Sequence, residues 1–236
     1  MSHQKEPLSV FMPFYNEEEL VEESVKECHS HLETLERKFE LVMVDDGSGD
    51  STPEKIDEME EELEHARAVH HTENRGYGRA LATGFLEARY PLVFYTDGDM
   101  QFDIEQLDRF LEEIEGYDLV VGYRRDRKDG IARSVAAWTF NRLARLLLPV
   151  EEKDIDCGFK LVRKRVVENL ELETDRTVDA ELLVKARSTG YRIKEVQVEH
   201  RERPSGESEA EGLLGVRPGL VFKSVQELLE IRRSTG

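Results

Sequence analysis

The chain has 236 residues, of which 39% are hydrophobic and 8% are aromatic, which is enough for one large folded domain and too much for a disordered chain. It carries 51 acidic and 33 basic residues, a formal net charge of -18, and only 11 of the basic residues are lysine. This charge disfavours general nucleic-acid binding, which depends on widespread phosphate neutralisation. An acidic, lysine-poor surface is typical of proteins that work at high salt, so we predict a halophilic source, with an ordinary acidic cytosolic protein as the alternative.

Three further features concern the compartment. Cys28 and Cys157 are the only cysteines in the sequence and form no CxxC pair, so neither a disulfide framework nor a thiolate metal site is predicted. Residues 2–6 are polar and lead straight into an apolar strand, unlike a secretory signal peptide. No apolar run approaches the roughly 20 residues that span a bilayer. We therefore expect a cytoplasmic protein.

The first half of the chain alternates strand and helix signals. Strands are predicted at residues 8–12, 41–44, 66–70 and 92–95. Helices are predicted at residues 17–39, from residue 51 and at residues 79–88. This alternation predicts an α/β fold with a Rossmann-like, mostly parallel mixed sheet flanked by helices. Open sheets of this kind bind ligands at the carboxyl ends of their strands.

The second half is less regular. A strand is predicted at residues 118–121 and a late strand at residues 193–200. Amphipathic helices are predicted at residues 133–148 and 220–233, with a polar loop at residues 204–212 between them in the chain.

Two acidic residues separated by a glycine follow the fourth predicted strand. Asp97 and Asp99 can face one hard cation, and Gln101 lies two residues further on. Oxygen ligands are what Mg²⁺ and Mn²⁺ prefer, and a diphosphate would complete the coordination. The same tripeptide is also common in turns, so the motif alone leaves both interpretations open.

Two other strand ends carry polar residues. Asp45 and Asp46 follow the second predicted strand, where a carboxylate could accept hydrogen bonds from a ribose or base, or could simply form a turn before a helix. The segment from Pro13 to Glu17 ends the first predicted strand and could wall the same crevice, with Tyr15 stacking on a ligand. By itself it could equally be a helix entrance.

The combination of motifs is more specific than its parts, because the chain resembles family 2 of the inverting glycosyltransferases. It is most similar to the polyprenyl-phosphate branch, the dolichyl-phosphate mannose or glucose synthases and their bacterial relatives. The matching segments occur in the family's order at residues 13–17 (PFYNE), 44–52 (VDDGSGDST), 74–78 (NRGYG), 97–103 (DGDMQFD), 121–124 (VGYR), 156–159 (DCGF) and 203–208 (RPSGES). The resemblance implies a GT-A fold, with a catalytic domain over residues 1–212 and an amphipathic helical segment over residues 213–236.

The resemblance also implies roles on the donor side. Contacts with the nucleoside and its diphosphate would come from Pro13, Tyr15, Glu17, Val44, Asp46, Asp97 and Gly98. Asp99 and Gln101 would be the direct ligands of Mg²⁺ or Mn²⁺, while Asp97 would bind the ion directly or through water. Arg203, with Gly206 and Ser208, matches a loop that closes over the donor phosphates. Relatives often have lysine after that serine, whereas this chain has Glu209.

A basic segment suggests an anionic acceptor. Residues 122–145 hold seven basic side chains against two acidic ones in a strongly acidic chain. Arginine side chains match phosphate oxygens, although a solvated helix face is the alternative interpretation. The resemblance implies that Arg124 and Arg133 clamp a lipid phosphate. The apolar positions of helix 133–148 would then lie at a membrane surface, unless they are ordinary core.

The acceptor decides the mechanism. A polyprenyl phosphate is already ionised at neutral pH and needs no strong base, whereas a sugar hydroxyl does. In the second case Asp156, or the pair Asp179 and Glu181, would be the base. We therefore predict metal-dependent transfer of a hexose from a nucleotide sugar to a polyprenyl phosphate at the inner face of the cell membrane. Transfer to a sugar hydroxyl and a non-catalytic binding subunit are the alternatives.

Overall fold

A seven-stranded sheet organises the molecule. The computed structural model describes residues 5–125, 131–204 and 218–235, with the backbone alone for residues 131–137 and 218–222. The strands are β1 (Leu8–Phe14), β2 (Phe39–Asp45), β3 (Ala66–His70), β4 (Leu92–Thr96), β5 (Leu119–Arg124), β6 (Phe159–Arg163) and β7 (Ile193–Val198). Their order across the sheet is β3-β2-β1-β4-β6-β5-β7.

The sheet is mostly parallel, as the sequence predicted. Strands β1 to β4 are parallel to one another, and β5 is parallel to β7. Only β6 runs the other way, antiparallel to both β4 and β5. This strand was not predicted, because Lys160 interrupts its apolar run. It places residues 156–158 beside the carboxyl end of β4.

Helices cover both faces of the sheet. They are α1 (Val21–Thr34), α2 (Thr52–Glu62), α3 (Tyr77–Glu87), α4 (Leu107–Glu113), α5 (Ile131–Leu147), α6 (Lys164–Glu168), α7 (Val178–Ser188) and α8 (Pro218–Thr235), with a 3₁₀ turn at Ile104–Gln106. The predictions gave no range for α4, α6 or α7. Within the described residues, no helix has the length and apolarity to cross a membrane.

Helix α1 begins later than predicted, at Val21 instead of residue 17. The preceding backbone is held by side chains at the start of α2 and just before it, because the Glu17 amide donates to Thr52 (2.8 Å) and the Glu18 amide donates to Asp50 (3.2 Å). Asn16 has a φ of 52°, which turns the chain out of the strand. Residues 16–20 are therefore a turn that keeps Glu17 at the edge of the sheet.

Alternating strand residues build one core on each face of the sheet. Val10 and Met12 point towards α1, α2 and α4, whereas Phe11 points towards α3, α5, α7 and α8. Leu228 and Ile231 bury α8 in the second core. The predicted boundary after residue 212 lies outside the described residues.

Candidate active site

The carboxyl ends of three neighbouring strands meet at one edge of the sheet. Tyr15 and Glu17 follow β1, Asp46 follows β2, and Asp97 and Asp99 follow β4. Because β1 pairs with both β2 and β4, these residues surround a single crevice. The structure therefore brings together the donor-side residues that the sequence singled out at these strand ends.

Two glycines shape the acidic turn after β4. A Cβ atom at Gly98 would lie 2.2 Å from the Phe14 ring, and one at Gly158 would lie 2.2 Å from a carboxylate oxygen of Asp97. Gly158 immediately precedes β6, so the antiparallel strand brings a backbone segment without a side chain close to Asp97. A side chain at either position would force the Phe14 ring or the Asp97 carboxylate to move.

The acidic turn has an unusual charge balance. Burial, together with the negative charge of Asp99, raises the pKa of Asp97 to about 7. The Tyr77 hydroxyl donates a hydrogen bond to the same carboxylate (2.9 Å), which acts in the opposite direction on its pKa. Two carboxylates that disfavour each other's ionised state have the charge and the oxygen atoms that suit a divalent cation.

Gln101 lies beneath the acidic turn and is buried. Its backbone amide donates to Asp99 (3.1 Å), and its side-chain nitrogen donates to the Arg201 carbonyl (3.4 Å), so its side-chain oxygen is the atom available to a cation. Among the residues that the structure describes, no three His, Cys, Asp or Glu side chains cluster as a complete metal site. An ion here would take further oxygen ligands from a substrate.

Arg203 joins two parts of the crevice. Its guanidinium donates to the Glu17 carboxylate and lies 4.0 Å from Asp99. Burial raises the pKa of Glu17, an effect that Arg203 opposes and the nearby Asp99 and Asp50 reinforce. The predicted phosphate-closing arginine therefore sits beside the acidic turn, while its predicted companions Gly206 and Ser208, and Glu209, lie outside the described residues.

The nucleoside-side predictions fall into two groups. Pro13 and Tyr15 are half-buried and border the crevice. Val44 is fully buried in the core and presents no surface to a nucleoside. Asp46 accepts hydrogen bonds from His71 Nδ1 (2.6 Å), the Arg75 amide (3.0 Å) and the Gly76 amide (2.8 Å). In this structure Asp46 therefore holds the loop before α3.

Arg124 is buried in an ion pair that the sequence did not reveal. It binds both carboxylate oxygens of Asp154 (2.6 and 3.0 Å) and the Asp156 carbonyl (2.8 Å). Burial, the largest single effect, lowers the pKa of Arg124, but the hydrogen bond to Asp154 and the negative charges of Asp154 and Asp156 together with Cys157 outweigh it and raise the pKa overall. Asp156 itself is exposed. The side chain of Arg133 lies outside the described residues.

A second buried ion pair lies behind the acidic turn. Lys160 is fully buried, and its ammonium donates to Asp179 (2.5 Å) and to the Cys157 carbonyl. The Tyr95 hydroxyl donates to the same Asp179 oxygen (2.5 Å). Glu181 accepts hydrogen bonds from the amides of Glu173 (2.9 Å) and Thr174 (2.8 Å). The pair proposed as a base thus consists of two carboxylates that are already engaged.

Comparisons with known proteins agree with the architecture. Residues 9–171 match the family described as Glycosyl transferase family 2. The chain is 30% identical over 203 residues to the undecaprenyl-phosphate 4-deoxy-4-formamido-L-arabinose transferase of Klebsiella pneumoniae, covering 85% of this chain and 62% of the relative. It is 31% identical over 222 residues to glycosyltransferase AglD of Haloferax volcanii, covering 86% of this chain and 34% of that protein.

The chain thus spans about a third to three fifths of the length of these curated relatives. Among solved structures, glucosyl-3-phosphoglycerate synthase of Mycobacterium tuberculosis, in complex with Mn²⁺, UDP and glucosyl-3-phosphoglycerate, superposes with a TM-score of 0.68 at 20% identity. The match covers 98% of this chain and 80% of that one. At this identity the likeness establishes the shared GT-A fold.

Proposed function

The chain belongs to glycosyl transferase family 2, and from that premise we propose that it transfers a hexose from a nucleotide sugar to a polyprenyl phosphate in a metal-dependent reaction. The observation that carries the proposal is the acidic turn at the end of β4. Asp97 and Asp99 lie there beside each other, and the pKa of Asp97 is raised. The positively charged guanidinium of Arg203 lies next to them. This arrangement suits the diphosphate of a sugar donor.

On the donor side, Asp97, Asp99 and Gln101 would hold Mg²⁺ or Mn²⁺. When bound, the ion supplies Lewis-acid stabilisation of the charge that develops on the departing nucleoside diphosphate. Arg203 would exchange its contact with Glu17 for a donor phosphate oxygen, since a guanidinium matches phosphate geometry. Tyr15 and Glu17 would border the nucleoside, and Asp46 would shape the same crevice by holding the loop before α3.

On the acceptor side, the state of the carboxylates favours an acceptor that is already ionised. Asp179 is buried and paired with Lys160, and Glu181 is buried and holds two backbone amides, so both carboxylates already serve the fold and lie away from solvent. A polyprenyl phosphate requires no base, and the chain's task reduces to positioning its oxygen for attack. The Klebsiella relative, named an undecaprenyl-phosphate 4-deoxy-4-formamido-L-arabinose transferase, supports the same acceptor class.

Arg124 and Arg133 differ in how they could serve the acceptor. Arg124 is neutralised by Asp154, so we assign it the positioning of residues 154–156 next to the site. Arg133 stays the predicted clamp on the lipid phosphate. Arg125, which is exposed at the end of β5, would add a second positive charge.

Helix α5 supports contact with a membrane surface. It exposes Trp138 (63%) and Leu146 (78%), and the Arg142 guanidinium lies 6.0 Å from the Trp138 ring centroid. Exposed apolar side chains beside arginines suit the interface of an anionic membrane. We therefore propose a peripheral location at the inner face of the cell membrane. The halophilic source stays a prediction.

The proposal is tested with a donor panel. GDP-mannose, UDP-glucose and UDP-N-acetylglucosamine are incubated with a polyprenyl phosphate and Mn²⁺, and the lipid-linked sugar is measured. We expect one donor to give product and EDTA to abolish it. Donor hydrolysis without any lipid product, for every donor, would contradict the acceptor assignment.

Transfer to a sugar hydroxyl is the second candidate, and one observation favours it. Asp156 is an exposed carboxylate whose neighbours Cys157 and Gly158 lie against the core and Asp97, so it could serve as a base. The Asp156→Asn variant separates the candidates. A polyprenyl-phosphate acceptor predicts less than about a threefold loss of turnover, whereas base catalysis predicts a loss of about 100-fold or more with unchanged donor binding.

A further inference from the structure

One carboxylate of helix α8 reaches the chain before α7. A single oxygen of Glu227 accepts hydrogen bonds from the Arg176 amide (3.0 Å), the Thr177 amide (2.9 Å) and the Thr177 hydroxyl (2.9 Å). Thr177 is the N-cap residue of α7, but its side chain makes no hydrogen bond to that helix. Glu227 therefore supplies from another helix the negative charge and the acceptor that a helix N-terminus requires.

The segment at residues 173–177 is held from both ends. Glu227 binds its carboxyl end, and Glu181 binds its amino end through the amides of Glu173 (2.9 Å) and Thr174 (2.8 Å). These carboxylates come from two different helices, α8 and α7. The position of the segment thus depends on how α8 packs against the rest of the fold.

Residues 173–177 pack closely against the turn that begins α3. Asp175 accepts a hydrogen bond from the Gly78 amide (3.0 Å). A Cβ atom at Gly76 would lie 2.2 Å from Asp175 Oδ1, and one at Gly78 would lie 2.4 Å from the Thr174 carbonyl oxygen. The two glycines flank Tyr77, so the segment sets the backbone from which Tyr77 projects.

Tyr77 completes the connection, because its hydroxyl donates to Asp97 (2.9 Å) in the acidic turn. We propose that Glu227 is a positioning residue for the metal site. It holds residues 173–177, which hold the turn at residues 76–78, from which Tyr77 orients Asp97. The inference rests on the proposed function, which assigns the cation to Asp97 and Asp99. Partners that orient a metal ligand in this way contribute strongly to affinity.

The first test needs no metal. Amide hydrogen exchange is followed at residues 76–80 in the Glu227→Ala variant and in the matched Glu230→Ala variant, which removes an exposed carboxylate of the same helix. Loss of the Glu227 contacts should speed exchange of the Gly78 amide about fivefold, the effect of losing about one hydrogen bond, and Glu230→Ala should leave it unchanged. Unchanged exchange in both variants overturns the inference.

The second test is a double-mutant cycle on Mn²⁺ affinity, measured from the free-Mn²⁺ signal in electron paramagnetic resonance. We expect Tyr77→Phe to weaken binding about tenfold and Glu227→Ala about fivefold. Because both act through the same hydrogen bond, the double variant should lose about tenfold, not the product of about fiftyfold. Glu230→Ala combined with Tyr77→Phe should show no coupling.

The outcomes separate the two proposals. Independent effects of Glu227→Ala and Tyr77→Phe on a protein that binds Mn²⁺ overturn the positioning role and leave the proposed function standing. A wild-type protein that does not bind Mn²⁺ contradicts the metal assignment, and the exchange result alone then decides whether Glu227 holds the Tyr77 turn. If Glu227→Ala lowers the folded fraction, as followed by circular dichroism, Glu227→Gln replaces it in both tests, with smaller effects in the same direction.

Discussion

The two halves of the sheet place their charged residues differently. In the half formed by β1 to β4, Glu17, Asp97 and Asp99 lie half-buried at strand ends, where a ligand can reach them. In the half formed by β5 to β7, Lys160 pairs with Asp179 in the interior, and Arg124 pairs with Asp154. In the proposed function, the charged residues of the first half bind the donor and its cation. The charged pairs of the second half hold the backbone beside them.

This difference has an energetic reason. A buried ion pair is expensive to desolvate, so it is stable only when both partners are present with good hydrogen bonds. Asp97 and Asp99, called the open pair below, are reachable from solvent and can instead be stabilised by binding a cation. The same residue types therefore have opposite consequences in the two halves, and substitutions can test the contrast.

The largest expected effect is at the open pair. Asp99→Asn should lower glycosyl transfer by about 1,000-fold while leaving the fold intact, because it removes a proposed metal ligand and one of the two carboxylate charges of the turn. Lipid-linked product is measured at saturating Mn²⁺, with thermal unfolding as the check on folding. Glu105→Gln is the matched control, since Glu105 is exposed six residues further on. Equal losses in both variants would contradict the metal assignment.

At the buried pair of Lys160 and Asp179, we expect substitutions to change the free energy of unfolding. Lys160→Met leaves Asp179 without its cation and should lower the free energy of unfolding by about 3 kcal/mol. Adding Asp179→Asn to this variant should recover part of the loss, because the uncompensated charge is removed. Urea denaturation measures both variants. A Lys160→Met protein as stable as the wild type would remove the distinction between the two halves.

The raised pKa in the open half predicts a pH dependence. Asp97 has a pKa of about 7 because of burial and the charge of Asp99, and a cation binds its deprotonated form. Below pH 7 a proton competes with the cation, whereas above pH 7 it does not. Mn²⁺ affinity should therefore fall about tenfold between pH 8 and pH 6, as followed by titration with the metal alone. A flat profile would contradict the coupling of the two carboxylates.

The smallest expected effect concerns the exposed face of α5 in the second half. Trp138→Ala should weaken binding to anionic phospholipid vesicles about fivefold, since part of the apolar contact is lost. Leu86→Ala is the control, because Leu86 is 80% exposed on a different helix. Vesicle co-sedimentation measures both variants. Equal weakening by the two substitutions would argue against α5 as the membrane-facing helix.

Much of the first half was predictable from sequence, for physical reasons. Strands β1, β2 and β4 are apolar runs that end at or beside Pro or Asp, and the crossover helices have regular apolar spacing. The acidic turn at residues 97–99 was predicted because a strand end and a carboxylate pair coincide there. The start of α1 was misplaced because the amides of Glu17 and Glu18 donate hydrogen bonds to Thr52 and Asp50, which are distant in the chain and hold the residues before the helix.

The arrangement of the second half could not be predicted in the same way, because its charged residues pair with partners that are distant in the sequence. Strand β6 contains Lys160, and a fully buried lysine inside a strand becomes plausible only when its partner Asp179 on α7 is known. Arg124 reads as a phosphate ligand until Asp154 is seen beside it. Glu227 carries no local motif at all, since its three hydrogen-bond donors lie 50 residues or more earlier.

The antiparallel strand β6 also sets the order in which the sheet can be completed during synthesis. Strands β1 to β4 can pair as they leave the ribosome, but β5 emerges before β6, and β6 lies between β4 and β5 in the sheet. Strand β5 therefore cannot join the sheet until β6 has emerged, and until then the backbone groups at the β4 edge are unpaired. An open apolar edge is a template for unwanted pairing with other chains. A nascent chain stalled before residue 159 would therefore be the species most in need of a chaperone.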